Sequence, residues 1–214
     1  MRRILIFANG DLPNPDEARR LLQEDGFIIA ADGGTHHVLA LGRLPDLVIG
    51  DFDSITPEDS QRMEHENVEL IKFPSDKNET DLELAIDHAL KLAPLQIIVI
   101  GALGRQIDHT LGNISLLSDP RFAGLDVRFD DGVEELMLCR DQVQIHGSSG
   151  DIVSLLPWGG EVTGIVTRNL KWPLENESLY PHKTRGISNE ILGEEASIRI
   201  KTGLLLIVHR RVKK

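Results

Sequence analysis

Two carboxylates two positions apart, Asp51 and Asp53, follow an apolar run in the stretch LVIGDFDSI (47–55). An apolar run buries itself, and uncompensated charge at a buried edge is costly. The pair therefore points to a positively charged object at the rim of a core strand. Other strand-like stretches end in the same way. FIIAADGG (27–34) delivers Asp32 followed by two glycines, and VELIKFPSDKNETD (68–81) leads after a loop to Asp81. QIIVIGALGRQIDHTLGN (96–113) delivers a glycine-rich turn, Arg105, Asp108 and His109.

Hard oxygen donors suit Mg2+ or Ca2+, and Mg2+ takes one or two carboxylates together with substrate phosphates. In an extended chain, residues two apart face one way with Cα atoms roughly 6.5–7 Å apart. On that geometry Asp51 and Asp53 border one ion, or two ions bridged by phosphate. Glycines at 33, 34, 101 and 104 let backbone amides approach an anion closely. An acidic chain that binds an anion needs a mediating cation, so Mg2+ is the cofactor this pattern asks for. Each piece alone has a plainer reading: Asp-Gly-Gly as a turn, Thr80-Asp81-Leu82-Glu83 as a helix start, Asp51 and Asp53 as a solvated loop. Their recurrence at four strand ends favours a site. No G-x-x-x-x-G-K-[ST] loop occurs, and His36, His37 and His109 lack the spacing of a zinc centre.

Parallel strands place such residues at one edge of a sheet, where ligands bind near a reversal of strand order. The first 120 or so residues alternate short apolar runs (RILIFA, FIIAA, DLVIG, VELIKF, QIIVIGA) with polar or amphipathic stretches. This predicts a parallel sheet with both faces covered. The clearest helix carries Leu82, Ala85, Ile86, Ala89 and Leu90 on one stripe, with Thr80 as N-cap and Glu83 three positions on. Beyond residue 125, VRFDDG, EELMLC, QVQIHG, DIVSLLP, EVTGIVT, ASIRIK and LLLIVHRR are separated by Gly, Asp and Ser turns. That texture predicts an antiparallel sandwich or barrel, with the change near Asp130. The pattern is thus α/β: an N-terminal parallel-sheet domain followed by a C-terminal antiparallel sandwich or barrel.

The 214 residues, 41% hydrophobic and 27% charged, suffice for such a core. A net charge of −11 argues against a nucleic-acid partner. The basic HRRVKK end reads as a solvated tail. The one cysteine, Cys139, forms no internal disulfide. MRRILIFANG is too short in its apolar part for a signal peptide, and no stretch approaches the roughly 18 apolar residues of a membrane helix. The expectation is a soluble, cytoplasmic protein with no membrane partner.

The motifs ADGG (31–34), GDFDS (50–54), TDLELA (80–85) and GALGRQIDHTLGN (101–113), followed by VSLLP (153–157), LKWPL (170–174) and GISNE (186–190), occur in the order found in thiamine pyrophosphokinases. The chain resembles that family over most of its length. The resemblance implies an α/β fold, with an N-terminal parallel-sheet, Rossmann-like ATP-binding catalytic domain over 1–130 and a C-terminal antiparallel β-sandwich, thiamine-binding domain over 131–214. It implies a homodimer with sites between subunits. The implied reaction transfers pyrophosphate from ATP to the hydroxyl of thiamine, leaving AMP and depending on Mg2+. Asp51, Asp53 and Asp81 would hold the metal, and Asp32 would shape the site and share the catalytic work. Gly33, Thr80, Arg105, Asp108 and His109 would line the nucleotide, and Ser188, Asn189 and Leu206 would contact thiamine. Asp32 or Asp53 would take the hydroxyl proton. Three positions depart from the family pattern: Asn78 replaces an aspartate, Arg105 stands one position early with Gln106 in its usual slot, and Leu206 replaces an aromatic residue. The alternatives are a metal-dependent nucleotide pyrophosphohydrolase and a non-catalytic thiamine or nucleotide binder.

Overall fold

The computed structural model describes residues 3–212, and the chain divides into two compact units, Met1–Gly132 and Val133–Lys214. The N-terminal unit runs β1 (Arg3–Phe7), α1 (Pro15–Leu22), β2 (Phe27–Ala31), α2 (Thr35–Ala40), β3 (Leu47–Gly50), α3 (Pro57–His65), β4 (Glu69–Lys72), α4 (Asp81–Lys91), β5 (Gln96–Ile100), α5 (Ile107–Leu116) and β6 (Asp126–Asp130). Its strands pair in parallel in the order β6-β5-β1-β2-β3-β4.

The continuous apolar strands follow from burial on both faces. Leu5 and Phe7 join Ile28, Ala30, Val48, Ile98 and Ile100 in one cluster with Ala18, Leu21 and Leu22 of α1, Val38 of α2 and Met63 of α3. The alternating residues Ile4, Ile6, Ile29, Ile97 and Val99 are fully buried too, as the period of two requires. Across β1, β2 and β3 packs α4, which buries Leu82, Ala85, Ile86 and Ala89. Its N-cap is Thr80, whose hydroxyl accepts from the Glu83 amide at 3.2 Å. The VRFDDG run belongs here, not to the antiparallel part: β6 pairs in parallel with β5. Its alternating burial resembles that of a sandwich strand, so the period alone did not separate the two.

The C-terminal unit contains β7 (Glu134–Cys139), β8 (Gln142–His146), β9 (Ile152–Pro157), β10 (Val162–Arg168), β11 (Glu175–Leu179), β12 (Asn189–Glu190), β13 (Glu195–Arg199) and β14 (Leu205–Arg210). They form two antiparallel strand sets, β12-β9-β14-β7 and β11-β10-β13-β8. Inward residues of both sets share a core that includes Val153, Leu155, Ile165, Ile198, Leu205 and Ile207, which makes the unit a β-sandwich. Cys139 sits in that core, and burial pushes its thiol up to about 12.

The basic end is not a free tail where it is described. His209 is 1% exposed and lies between Asp151 Oδ2 at 3.0 Å and Glu135 Oε2 at 3.4 Å. The Val212 amide donates to Asp151 Oδ1. Paired carboxylates compensate the buried imidazole, and Lys213 and Lys214 lie outside the described residues. No described helix is long and apolar enough to cross a membrane.

Candidate functional site

In the parallel sheet the chain steps from β1 outward to β4, then returns to place β5 on the other side of β1. The crevice beyond the carboxyl ends of β1 and β5 is the switch point at which such sheets bind ligands. A pocket of about 430 Å3 lies there, lined by Asn9 and Gly10 after β1, Asp32 and Gly33 after β2, and Gly104 and Arg105 after β5. The loop before α4 adds Ser75, Lys77, Thr80 and Asp81, and the start of α5 adds Gln106 and His109.

Asp32, Asp51 and Asp53 form the tightest acidic group among the described residues. One carboxylate oxygen from each lies within 4.8 Å of the others. Local packing explains the convergence. A Cβ added at Gly50 would stand 2.7 Å from Asp32 Cβ, so the glycine at the end of β3 is what lets the two chain ends approach. Asp51 and Asp53 do not meet across an extended segment, as the spacing suggested. Phe52 between them has φ 68, and the Asp53 amide donates to Asp51 Oδ1 at 3.3 Å. A turn, held by the aspartate side chain, brings the carboxylates together.

Nor do all the carboxylates stand free at the rim. Asp32 is only 7% exposed, has φ 40, and opens the 3-10 turn leading into α2. Its Oδ1 is buried without a hydrogen-bond partner. An unpaired anionic oxygen in that setting is costly unless a cation satisfies it. The group therefore fits a hard divalent ion: all donors are oxygens, and one of them lacks a protein partner.

The electrostatics differ within the cluster. Hydrogen bonds from the Ser75 hydroxyl and the Asp53 amide hold the Asp51 carboxyl below its ordinary range. Burial raises the Asp81 carboxyl, and the charges of Asp32 and Asp51 push the same way against the Lys77 ammonium. Lys77 Nζ lies 3.0 Å from Asp81 Oδ1, an ion pair that lacks hydrogen-bond alignment. Asp81 thus borders the same pocket, paired to a lysine, beside the Asp32–Asp51–Asp53 group.

Of the residues expected at a nucleotide, Gly33, Thr80, Arg105 and His109 line the pocket. Asp108 does not; its Oδ1 accepts from the His109 amide at the start of α5. Arg105 reaches the pocket from its early position with φ 56, alongside Gln106. In the C-terminal unit, Ser188 is exposed with φ 60, and its amide donates to Ser154 Oγ. Asn189 is buried, with its side-chain amide bonded to the backbone of Trp172. Leu206 is 4% exposed on β14.

Asn9, Ser75 and Lys77 were absent from the sequence reading. The signal for Asn9 was available, since Ala8-Asn9-Gly10 is one more strand end at the same edge. Ser75 and Lys77 precede the Thr80 cap by a few residues and lie in the loop that the α4 start pins down.

The family model described as thiamin pyrophosphokinase, catalytic domain, matches residues 18–129. That described as thiamin pyrophosphokinase, vitamin B1 binding domain, matches residues 141–205. The chain is 29% identical to the thiamine pyrophosphokinase of Bacillus subtilis (strain 168) over 210 residues, covering 97% of this chain and 98% of the relative. It is 30% identical to thiamine pyrophosphokinase 1 of Oryza sativa subsp. japonica over 174 residues, covering 76% of this chain and 64% of the relative. The crystal structure of the Bacillus subtilis thiamine pyrophosphokinase aligns with a TM-score of 0.87 at 27% identity, over 99% of this chain and 100% of that one.

Proposed function

The chain belongs to the thiamin pyrophosphokinase family, and from that premise we propose that it transfers a pyrophosphoryl group from ATP to the hydroxyl of thiamine, releasing AMP. The observation that carries this reading is the pocket at the β1/β5 switch point, flanked by Asp32, Asp51 and Asp53 with a buried carboxylate oxygen left unsatisfied. Residues 1–130 form the ATP-binding part and residues 131–214 the thiamine-binding part.

Asp51 and Asp53 together with Asp32, and with Asp81 bordering the group, would hold Mg2+. Bound there, the ion neutralises phosphate charge during transfer. The chain's own groups do the positioning, which dominates this chemistry. Gly33, Thr80, Arg105 and His109 line the nucleotide, and the opening of α4 offers amide dipoles to the phosphates. Asp53, exposed where Asp32 is buried, is the carboxylate open to a second substrate and takes the thiamine hydroxyl proton. Ser188 contacts thiamine, Asn189 acts by fixing the segment around Trp172, and Leu206, 4% exposed on β14, has little surface to offer a ligand. The exposed apolar side chains Ile107 and Leu111 of α5 support a homodimer, which sedimentation tests. A cytoplasmic location agrees with ATP as co-substrate and with Cys139 as a buried thiol.

The test is mass-spectrometric identification of products from thiamine, ATP and MgCl2. Thiamine diphosphate and AMP are expected. ADP, or AMP formed without thiamine, contradicts the assignment; the latter supports a nucleotide hydrolase.

A further inference from the structure

Two cationic side chains face the pocket, and they are compensated differently. Lys77 is matched by the Asp81 carboxylate at 3.0 Å. Arg105 Nη1 instead donates to Asn9 Oδ1 at 2.9 Å, a neutral amide acceptor. Asn9 therefore orients the guanidinium without cancelling its charge, and that charge stays available to an anion.

The backbone around this contact is built to hold it. The turn after β1 is zipped to the turn after β5: the Gly10 amide donates to the Gly101 carbonyl at 2.6 Å, and the Asp11 amide to the Leu103 carbonyl at 2.7 Å. The Asp11 carboxylate accepts from the Arg105 amide at 3.2 Å. This bond fixes Arg105 in a left-handed conformation, φ 56, which a non-glycine residue seldom adopts without such support. Asn9 is wedged in turn against Gly33, where an added Cβ would stand 2.3 Å from Asn9 Nδ2. Sequence neighbours do not create this arrangement, since Asn9 and Arg105 lie 96 positions apart.

We infer that Asn9 and Asp11 are positioning residues that hold Arg105 over the pocket, where its guanidinium binds the polyphosphate of the nucleotide. The inference rests on the function proposed above and names a phosphate-binding group together with the two residues that aim it. The pocket is otherwise rich in carboxylates, so a polyanion needs a cation fixed in place as well as a bound metal. The Asn9–Arg105 contact is exposed, and exposed contacts contribute little to fold stability. Its loss should register in ligand binding and leave the melting temperature nearly unchanged.

The test uses the full chain, with ATP titrated calorimetrically at fixed MgCl2 and with steady-state kinetics alongside. Arg105→Ala should weaken ATP binding about tenfold, as expected for one charge-assisted contact. Asn9→Asp is the informative variant, because it keeps the shape and the acceptor oxygen but adds a charge that cancels the arginine. It should weaken ATP binding at least as much as Asn9→Ala, raise KM for ATP more than it changes kcat, and leave KM for thiamine unmoved. Asn9→Ala combined with Arg105→Ala, which adds no charge to the pocket, should bind ATP no worse than Arg105→Ala alone. Tight ATP binding by Asn9→Asp, or additive losses in the double variant, overturns the inference. If the unsubstituted chain makes AMP and thiamine diphosphate while these variants keep full ATP affinity, the inference alone fails. If the unsubstituted chain makes neither product, the functional reading fails and this one falls with it.

Discussion

Asn189 closes a two-way bridge to the backbone of Trp172: its Oδ1 accepts from the Trp172 amide at 3.0 Å, and its Nδ2 donates to the Trp172 carbonyl at 2.7 Å. The same Oδ1 also accepts from the Glu190 amide. The side chain is thereby committed to ordering the segment after β10 against β12, and Trp172 emerges from it 54% exposed. Asn189→Ala should cost about 2–3 kcal/mol of stability, the scale of two to three buried amide hydrogen bonds. It should raise KM for thiamine without changing KM for ATP. Denaturant unfolding and two-substrate kinetics check both parts.

Gly50 is required by its neighbour. In Gly50→Ala the new methyl group would stand 2.7 Å from Asp32 Cβ, and neither atom is the free end of a flexible side chain. Overpacking of this kind costs about 1–3 kcal/mol. It should also spread the Asp32–Asp51–Asp53 group and lower kcat about tenfold or more. Melting curves and turnover on the purified variant provide the comparison.

On the proposed function, charge at the acidic group should serve binding more than folding. Asp51→Asn and Asp53→Asn should each lower kcat at least about 100-fold, the scale of losing one group that stabilises developing charge. Their melting temperatures should hold or rise, because removing a like charge relieves repulsion on Asp32 and Asp81. A variant that melts early would instead mark the carboxylate as structural.

The buried His209 gives the C-terminal unit a pH dependence. Burial opposes its charge, but the Glu135 and Asp151 carboxylates outweigh that and raise its pKa, with Arg211 acting against them. A raised pKa contributes stability that is complete below about 6.5, the ordinary value, and is lost as pH rises through the folded value. Asp151 works in the opposite sense. Burial raises it, but the Val212 and Ser148 amides and His209 bring it below its ordinary value. Its contribution is present above that value and is lost as pH falls through the lowered one. Denaturation midpoints should therefore decline as pH rises above about 6.5, the ordinary value, and His209→Gln should flatten that decline relative to the unsubstituted chain.

Much of the parallel sheet was legible because its strands are buried on both faces and read as unbroken apolar runs. The α4 helix was equally plain, since Leu82, Ala85, Ile86 and Ala89 all turn inward and Thr80 caps it. The strand β11 left little trace: Glu175–Leu179 is mostly polar and lies at a sheet edge. What stayed hidden depended on distant partners or on rare backbone geometry. His209 is buried only because Glu135 and Asp151 meet it from 74 and 58 residues away. The left-handed Phe52 between Asp51 and Asp53 defies the usual preference of aromatic residues, so the carboxylates' convergence was expected while its turn was not.

The fate of the terminal phosphate tests the central claim most directly. With ATP labelled at the γ-phosphorus, thiamine and MgCl2, the label should end in thiamine diphosphate in a one-to-one ratio with AMP, and Asp51→Asn should abolish both together. Label released as phosphate or pyrophosphate while thiamine stays unmodified would contradict the account.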